Sequence, residues 1–116
     1  VSIAKTQAER GYAIYRNVDL DQTGIVIKAS RGKVYGWFLY NNATAARFVK
    51  FTNSTTINPG ATTVFLTIQL PASSAATVWF DGGIEFDTGI CVYGAQLVAD
   101  NDATDPNYIS ANIFYL

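Results

Sequence analysis

The chain has 116 residues, the size of one domain, with 49% hydrophobic and only 15% charged residues, against about 25% charged in an average soluble domain. Such a chain buries enough apolar surface to offset its ordering entropy, which excludes intrinsic disorder, and no window approaches the ~18 consecutive apolar residues of a membrane-spanning helix. It holds no His and one Cys, Cys91, so most nucleophilic and metal chemistry lacks its usual residues. Neither a basic-then-apolar leader nor an initiator Met is present, so a processed or trimmed start is expected.

The net charge of −1 hides a segregation. All eight Lys and Arg lie in residues 1–50 beside three acids, net +5, while residues 51–116 carry six acids and no base. A pI near 5.1 argues against nucleic acid as partner despite the basic first half. Either the halves interleave in space and neutralise each other, or the two signs occupy different faces and let copies or partners dock. The sequence leaves both open.

Residues 1–20 read as an N-terminal arm, with a turn or two of marginal helix in residues 1–10. Residues 21–116 then read as one β domain, because short runs of Val, Ile, Phe, Tyr and Thr alternate with Gly, Asn, Asp and Pro. In the strand at 24–30, Ile25, Ile27 and Ala29 share one face. The strand at 34–40 is apolar on both, with Val34, Phe38 and Tyr40 against Tyr35, Trp37 and Leu39, so coverage on both sides is expected. Strands follow at 46–52 and 63–70, the latter with Val64, Leu66, Ile68 and Leu70 on one face. Residues 77–80 and 84–86 flank Asp81-Gly82-Gly83, which reads as a hairpin turn needing positive φ. The last strands fall at 89–97 and 108–116, on either side of an acidic loop. A short echo, Thr23-Gly24-Ile25-Val26-Ile27 against Thr88-Gly89-Ile90-Cys91-Val92, marks two strands entered by the same kind of turn. The expected architecture is all-β: an antiparallel β-sandwich of about eight strands, jelly-roll-like.

No constellation carries catalysis, so no catalytic, cofactor-binding or metal residue is assigned and no cofactor is expected. Cys91 inside a strand reads as a buried thiol. Asp81, Glu85 and Asp87 read as solvated carboxylates rather than a glycosidase pair. Asp100, Asp102 and Asp105 lack the glycine and distal Glu of an EF-hand loop. The glycosylation sequons at Asn42 and Asn53 carry meaning only in a secretory pathway. The aromatic content is more informative: 7 Tyr, 7 Phe and 2 Trp exceed what one small sandwich core holds, which points to a subunit interface. A sugar-stacking platform would use the same rings.

Three stretches, residues 32–51, 83–90 and 111–115, resemble a group of small β-rich virion proteins of tailed bacteriophages, notably those infecting cyanobacteria and marine bacteria. The resemblance implies a capsid decoration (cement) protein: a homotrimer on the capsid surface, bound to the major capsid protein, with no active site, membrane or nucleic-acid contact. The expected function is that of a non-enzymatic structural virion protein that stabilises neighbouring capsid subunits. Its candidate interface comprises the aromatics Tyr12, Tyr15, Tyr35, Trp37 and Tyr40. The bases Arg10, Arg16, Arg47 and Lys50 complete it, meeting acidic capsid surface. The alternative is a glycan- or host-recognition module of a tail fibre or baseplate, acting through Trp37, Trp79 and nearby Tyr.

Overall fold

The β-branched and aromatic runs become eight strands in a computed structural model that describes residues 11–116. They are β1 (Ala13–Leu20), β2 (Ile25–Lys28), β3 (Gly32–Asn41), β4 (Arg47–Thr52), β5 (Leu66–Leu70), β6 (Ala75–Phe86), β7 (Ile90–Ala95) and β8 (Ile109–Tyr115). Two four-stranded antiparallel sheets result, ordered β1-β8-β3-β6 and β2-β7-β4-β5, hereafter the β1 sheet and the β2 sheet. Among the described residues no helix forms.

Each early strand pairs with a late one: β1 with β8, β2 with β7, β3 with β6 and β4 with β5. These nested antiparallel pairs are the wrapping of a jelly roll. The echoed pentapeptides turn out to be partners, with Ile25 opposite Val92 and Val26 opposite Cys91. The nesting also lays the basic half of the chain along the acidic half. Arg31, for instance, pairs with Glu85, so much of the sequence-level segregation disappears in space.

Between the sheets, Trp37, Leu39 and Ile113 face Val49, Phe51 and Val92 in one apolar cluster. Each such side chain is worth about 1.5–3 kcal/mol of burial. Rings bridge the layers, with Trp37 and Phe86 each 5.9 Å from Phe51. Ile109, Ala111 and Leu70 are buried as the alternation predicts, and Leu66 and Ile68 pack against the cluster.

The structure corrects three expectations. Residues 13–20 are no arm: they form β1, paired with β8 from Ala13 opposite Tyr115 to Leu20 opposite Ile109. Its apolar Ile14 and Val18 lie on the solvent side, so β1 lacks the alternation of a half-buried strand. Residues 1–10, with their expected helical turn, lie outside the described residues. Asp81-Gly82-Gly83 is no hairpin either. Both flanking segments pair with β3, Trp79 opposite Gly36 and Ile84 opposite Val34, so the intervening residues bulge out of one long strand. Gly83 has φ 72°, the left-handed conformation the glycine signal promised, spent on a bulge. The expected strand count is met because one strand was missed and another divided in two.

The third correction concerns β3. β3 itself holds one extra residue, Tyr35, so its register shifts between Val34 and Gly36 against both β6 and β8, and the faces exchange beyond it. Val34, Trp37 and Leu39 therefore all point into the core, while Phe38 and Tyr40 point out. The strand covered on both sides is instead β7, buried at all six positions.

Candidate functional site

The register determines which side chains leave the β1 sheet on its outer side. One row across the strands is Ile14, Phe114, Gly36 and Trp79, and the next is Arg16, Asn112, Phe38 and Thr77. Tyr40 follows in the third row between Ser110 and Ala75. Phe38 is 51% exposed and Trp79 47%, in a protein whose core is otherwise well filled.

The rings form a connected strip. Tyr12 stacks 4.7 Å from Tyr35 and meets Trp79 edge-on at 5.0 Å. Trp79 continues to Phe114 at 6.3 Å, and Phe114 to Phe38 at 5.1 Å. Edge-to-face pairs of this kind contribute about 0.5–1.5 kcal/mol each beyond area burial, so the rings hold one another in place. Two glycines make the room. A Cβ at Gly36 would sit 2.9 Å from the Trp79 ring, and one at Gly83 would sit 3.0 Å from Tyr35. The indole thus lies over bare backbone. The face is broad, flat and aromatic, and no pocket opens among the described residues.

Of the sequence-derived candidates, Tyr12, Arg16, Tyr35 and Tyr40 belong to this face. Four others lie elsewhere. Trp37 is only 6% exposed and packs between Phe51 and Phe80, because the bulge turns it inward. Tyr15 packs against the core, its hydroxyl accepting from Asn17 Nδ2 at 2.9 Å. Burial raises its pKa, partly offset by that bond. Lys50 has no exposed surface. Its Nζ donates to the carbonyls of Ala99 at 2.6 Å and Asp102 at 3.1 Å, and it lies 5.7 Å from the centre of the Tyr93 ring. Burial lowers the Lys50 pKa, against the opposing pull of Asp102 and Asp100. Arg47 is half-buried, held by the carbonyls of Pro106 and Ala46. Arg10 lies outside the described residues. Ile14, Phe38 and Phe114 complete the face without having been expected there.

The outer side of the β2 sheet is different, because the connections at 53–65 and 96–108 fold across it. Cys91 donates its thiol to Ser54 O at 3.2 Å, and Tyr93 OH donates to Asp100 O at 3.4 Å. Phe48, Lys50 and Thr52 are buried beneath these loops. Cys91 is a free, buried thiol.

The remaining polar candidates serve local structure. Asp102 accepts from Leu97 N at 3.0 Å and from Thr104 Oγ1. Burial works to raise its pKa, but these bonds and the charge of Lys50 bring it below the ordinary value. Asp105 accepts from Asn107 N at 2.9 Å. Asn53 donates to Asp87 and accepts from Thr88 N and Gly89 N. Asp87 is held below its ordinary pKa chiefly by Asn53 and Thr88. Among the described residues no three metal-ligating side chains gather, and no helix is long and apolar enough to cross a membrane. Models of protein families, curated proteins and solved structures yield no match to this chain.

Proposed function

We propose that this chain is a non-enzymatic structural virion protein that self-associates as a trimer and binds the outer surface of a phage capsid, holding neighbouring capsid subunits together. The observation that carries the reading is the ring strip on the outer face of the β1 sheet, presented flat and without a pocket. Four strands spaced about 4.8 Å apart with a rise of ~3.3 Å per residue present a footprint of roughly 500 Å². That approaches the ~800 Å² of accessible surface each partner buries in a stable complex. Aromatic anchors at the centre of such a face supply most of the binding energy. Arg16 on the same face supplies charge for an acidic contact. The jelly roll recurs in capsid and lectin domains, which adds support by analogy of fold alone. Stabilisation follows from mass action, since a partner that binds only the assembled shell favours that shell.

Light scattering after size exclusion, with co-sedimentation on expanded capsids of the parent phage, tests the reading. Assembly and saturable capsid binding are expected. A stable monomer that ignores capsids overturns it.

The stack of Tyr12, Tyr35 and Trp79 favours a second reading, a glycan-recognition module of a tail fibre or baseplate, because exposed rings of this kind also stack on sugars. Trp37 drops out of that reading through its burial. Glycan-array binding that disappears in Trp79→Ala would favour it over capsid contact.

A further inference from the structure

We infer that the Asp81-Gly82 linkage, in the bulge of β6, is a modification site: its backbone isomerises spontaneously, through a cyclic imide, to an isoaspartyl linkage. Two ladder pairs hold the ends of the bulge, Trp79 opposite Gly36 and Ile84 opposite Val34. Between them four residues of β6 stand against one of β3, so residues 80–83 have no partner in the ladder. A regular strand pins each amide and suppresses such chemistry, and a bulge gives up that hold. The far side of β6 offers no second restraint, because β6 is an edge strand of its sheet. Asp81 and Gly82 are both exposed. Among the described residues, the side-chain bond at this tip is the exposed one from Lys33 Nζ to Gly82 O at 3.3 Å.

Structure and sequence together single out this aspartate. The carboxylates of Asp21, Asp87, Asp102 and Asp105 are each held by a hydrogen bond. Among the described residues, Asp19 and Asp100 bond through their backbone alone, but Leu20 and Asn101 follow them and crowd the attacking nitrogen. Asp81 is the one Asp followed by Gly, and no Asn is. In the reaction the Gly82 amide nitrogen attacks Cγ of Asp81. The N–Cγ bond forms, and the amide proton leaves with a carboxyl oxygen as one water. Water then opens the imide. Opening at Cγ restores aspartate, whereas opening at the main-chain carbonyl carbon leaves the chain running through Cβ and Cγ, with the former main-chain carbonyl now a free carboxylate. The product has the same mass and a main chain one methylene longer. Next to it Gly83, at φ 72°, lies against Tyr35, where even a Cβ would come within 3.0 Å of the ring. The added length therefore acts on the stack of Tyr12, Tyr35 and Trp79, so ageing of the bulge alters the aromatic face.

Ageing of the full chain in warm neutral buffer, followed by peptide mapping, tests this. Isoaspartate is read from resistance to an aspartate-specific protease, from methyl transfer by an isoaspartate-specific methyltransferase, and from oxygen incorporated out of heavy-oxygen water. It is expected at Asp81 at least about tenfold above Asp19 and Asp100, the effect of ~1.4 kcal/mol in the barrier. Gly82→Ala is the discriminating variant. Gly82 does not adopt positive φ, and a Cβ there meets nothing within 4 Å, so the fold is kept, as thermal melts by circular dichroism establish. The new methyl crowds the nitrogen and is expected to lower isoaspartate at Asp81 by about tenfold. Aged wild type is expected to show a change in tryptophan emission that Trp79→Phe abolishes. Isoaspartate that forms in the guanidinium-unfolded chain but not in the folded one means that the bulge pins the amide, which overturns the inference. Equal accumulation at Asp19 or Asp100, or in Gly82→Ala, also overturns it. Unchanged emission in isomerised protein overturns the link to the aromatic face and leaves the modification standing.

Discussion

Both outer faces of this sandwich carry aromatic rings, and the rings meet opposite fates. On the β2 sheet, Tyr93 and Phe48 lie beneath the connections at 53–65 and 96–108, the two longest in the chain. On the β1 sheet, Phe38 and Trp79 lie beneath nothing of the described chain. The connections between β1 and β2, β2 and β3, and β6 and β7 are all tight turns, too short to fold back over that sheet. Coverage here is a matter of loop length, not of strand composition. A ring under a loop contributes to folding, whereas a ring left bare is free to contribute to association. The low charged fraction follows from the same division, because one large face is built from rings rather than ions.

Truncating one ring on each face gives the sharpest test. Tyr93→Ala removes a fully buried ring and leaves a cavity under the 96–108 loop, with an expected cost of about 3–5 kcal/mol, as for other large core truncations. Trp79→Ala opens no enclosed cavity but loses edge-to-face pairs with Tyr12 and Phe114, and is expected to cost about 1–2 kcal/mol, well below the buried ring. Urea denaturation of both variants measures the difference. Equal costs would erase the distinction between a folding face and a contact face.

Lys50 sharpens the comparison through pH. Burial lowers its pKa from 10.5, so the unfolded chain binds more protons than the folded one just below that value. Stability contributed at this site therefore rises with pH between the lowered folded value and 10.5. Tyr93 and Tyr15 act oppositely. Burial raises both from 10.0, so their contribution falls as pH rises above that point. Lys50→Met keeps the stem and removes the charge, leaving the tyrosine terms in place. The difference in stability, wild type minus variant, is expected to climb as pH rises toward 10.5, as read from urea midpoints across the alkaline range. At pH 7 the two should lie within about 1 kcal/mol, since exchanging a buried charge for an apolar isostere is often near neutral. A flat difference curve would mean that the ammonium is solvated and the loop open.

The sandwich itself was legible from local pattern. In β5 and β8 one face is wet and the period of two survives intact, so Ile68, Leu70, Ile109 and Ile113 could be placed from sequence. Interruptions of that period could not. The bulge between Val34 and Gly36 reverses the faces of β3, and it arises in pairing with both β6 and β8, more than 40 positions away. Trp37 and Phe38 consequently exchanged roles. Asp81-Gly82-Gly83 gave a true signal for left-handed backbone, but local sequence does not distinguish a hairpin from a bulge when both flanks pair with a third strand. Lys50 read as a surface base for a related reason. Its alternation with Val49 and Phe51 is that of an outward residue, and outward it is. Only the loop arriving from residues 96–108 buries it, and nothing near Lys50 announces that loop.

The smallest expected effect comes from the charge segregation. Nested pairing places Arg31 of the basic half beside Glu85 of the acidic half, opposite strand neighbours Lys33 and Glu85. Arg31 is largely exposed, and ion pairs of this kind contribute about 0–1 kcal/mol because water and salt screen them. Arg31→Ala is expected to lower stability by at most about 0.5 kcal/mol, with the difference vanishing in 1 M salt, where the Debye length shrinks to ~3 Å. Assembly should be untouched, since Arg31 lies in the turn between β2 and β3 and not in the ring strip. Loss of assembly in Arg31→Ala would instead place the contact at the turn between β2 and β3. The bare rings of the β1 sheet would then need another explanation than self-association.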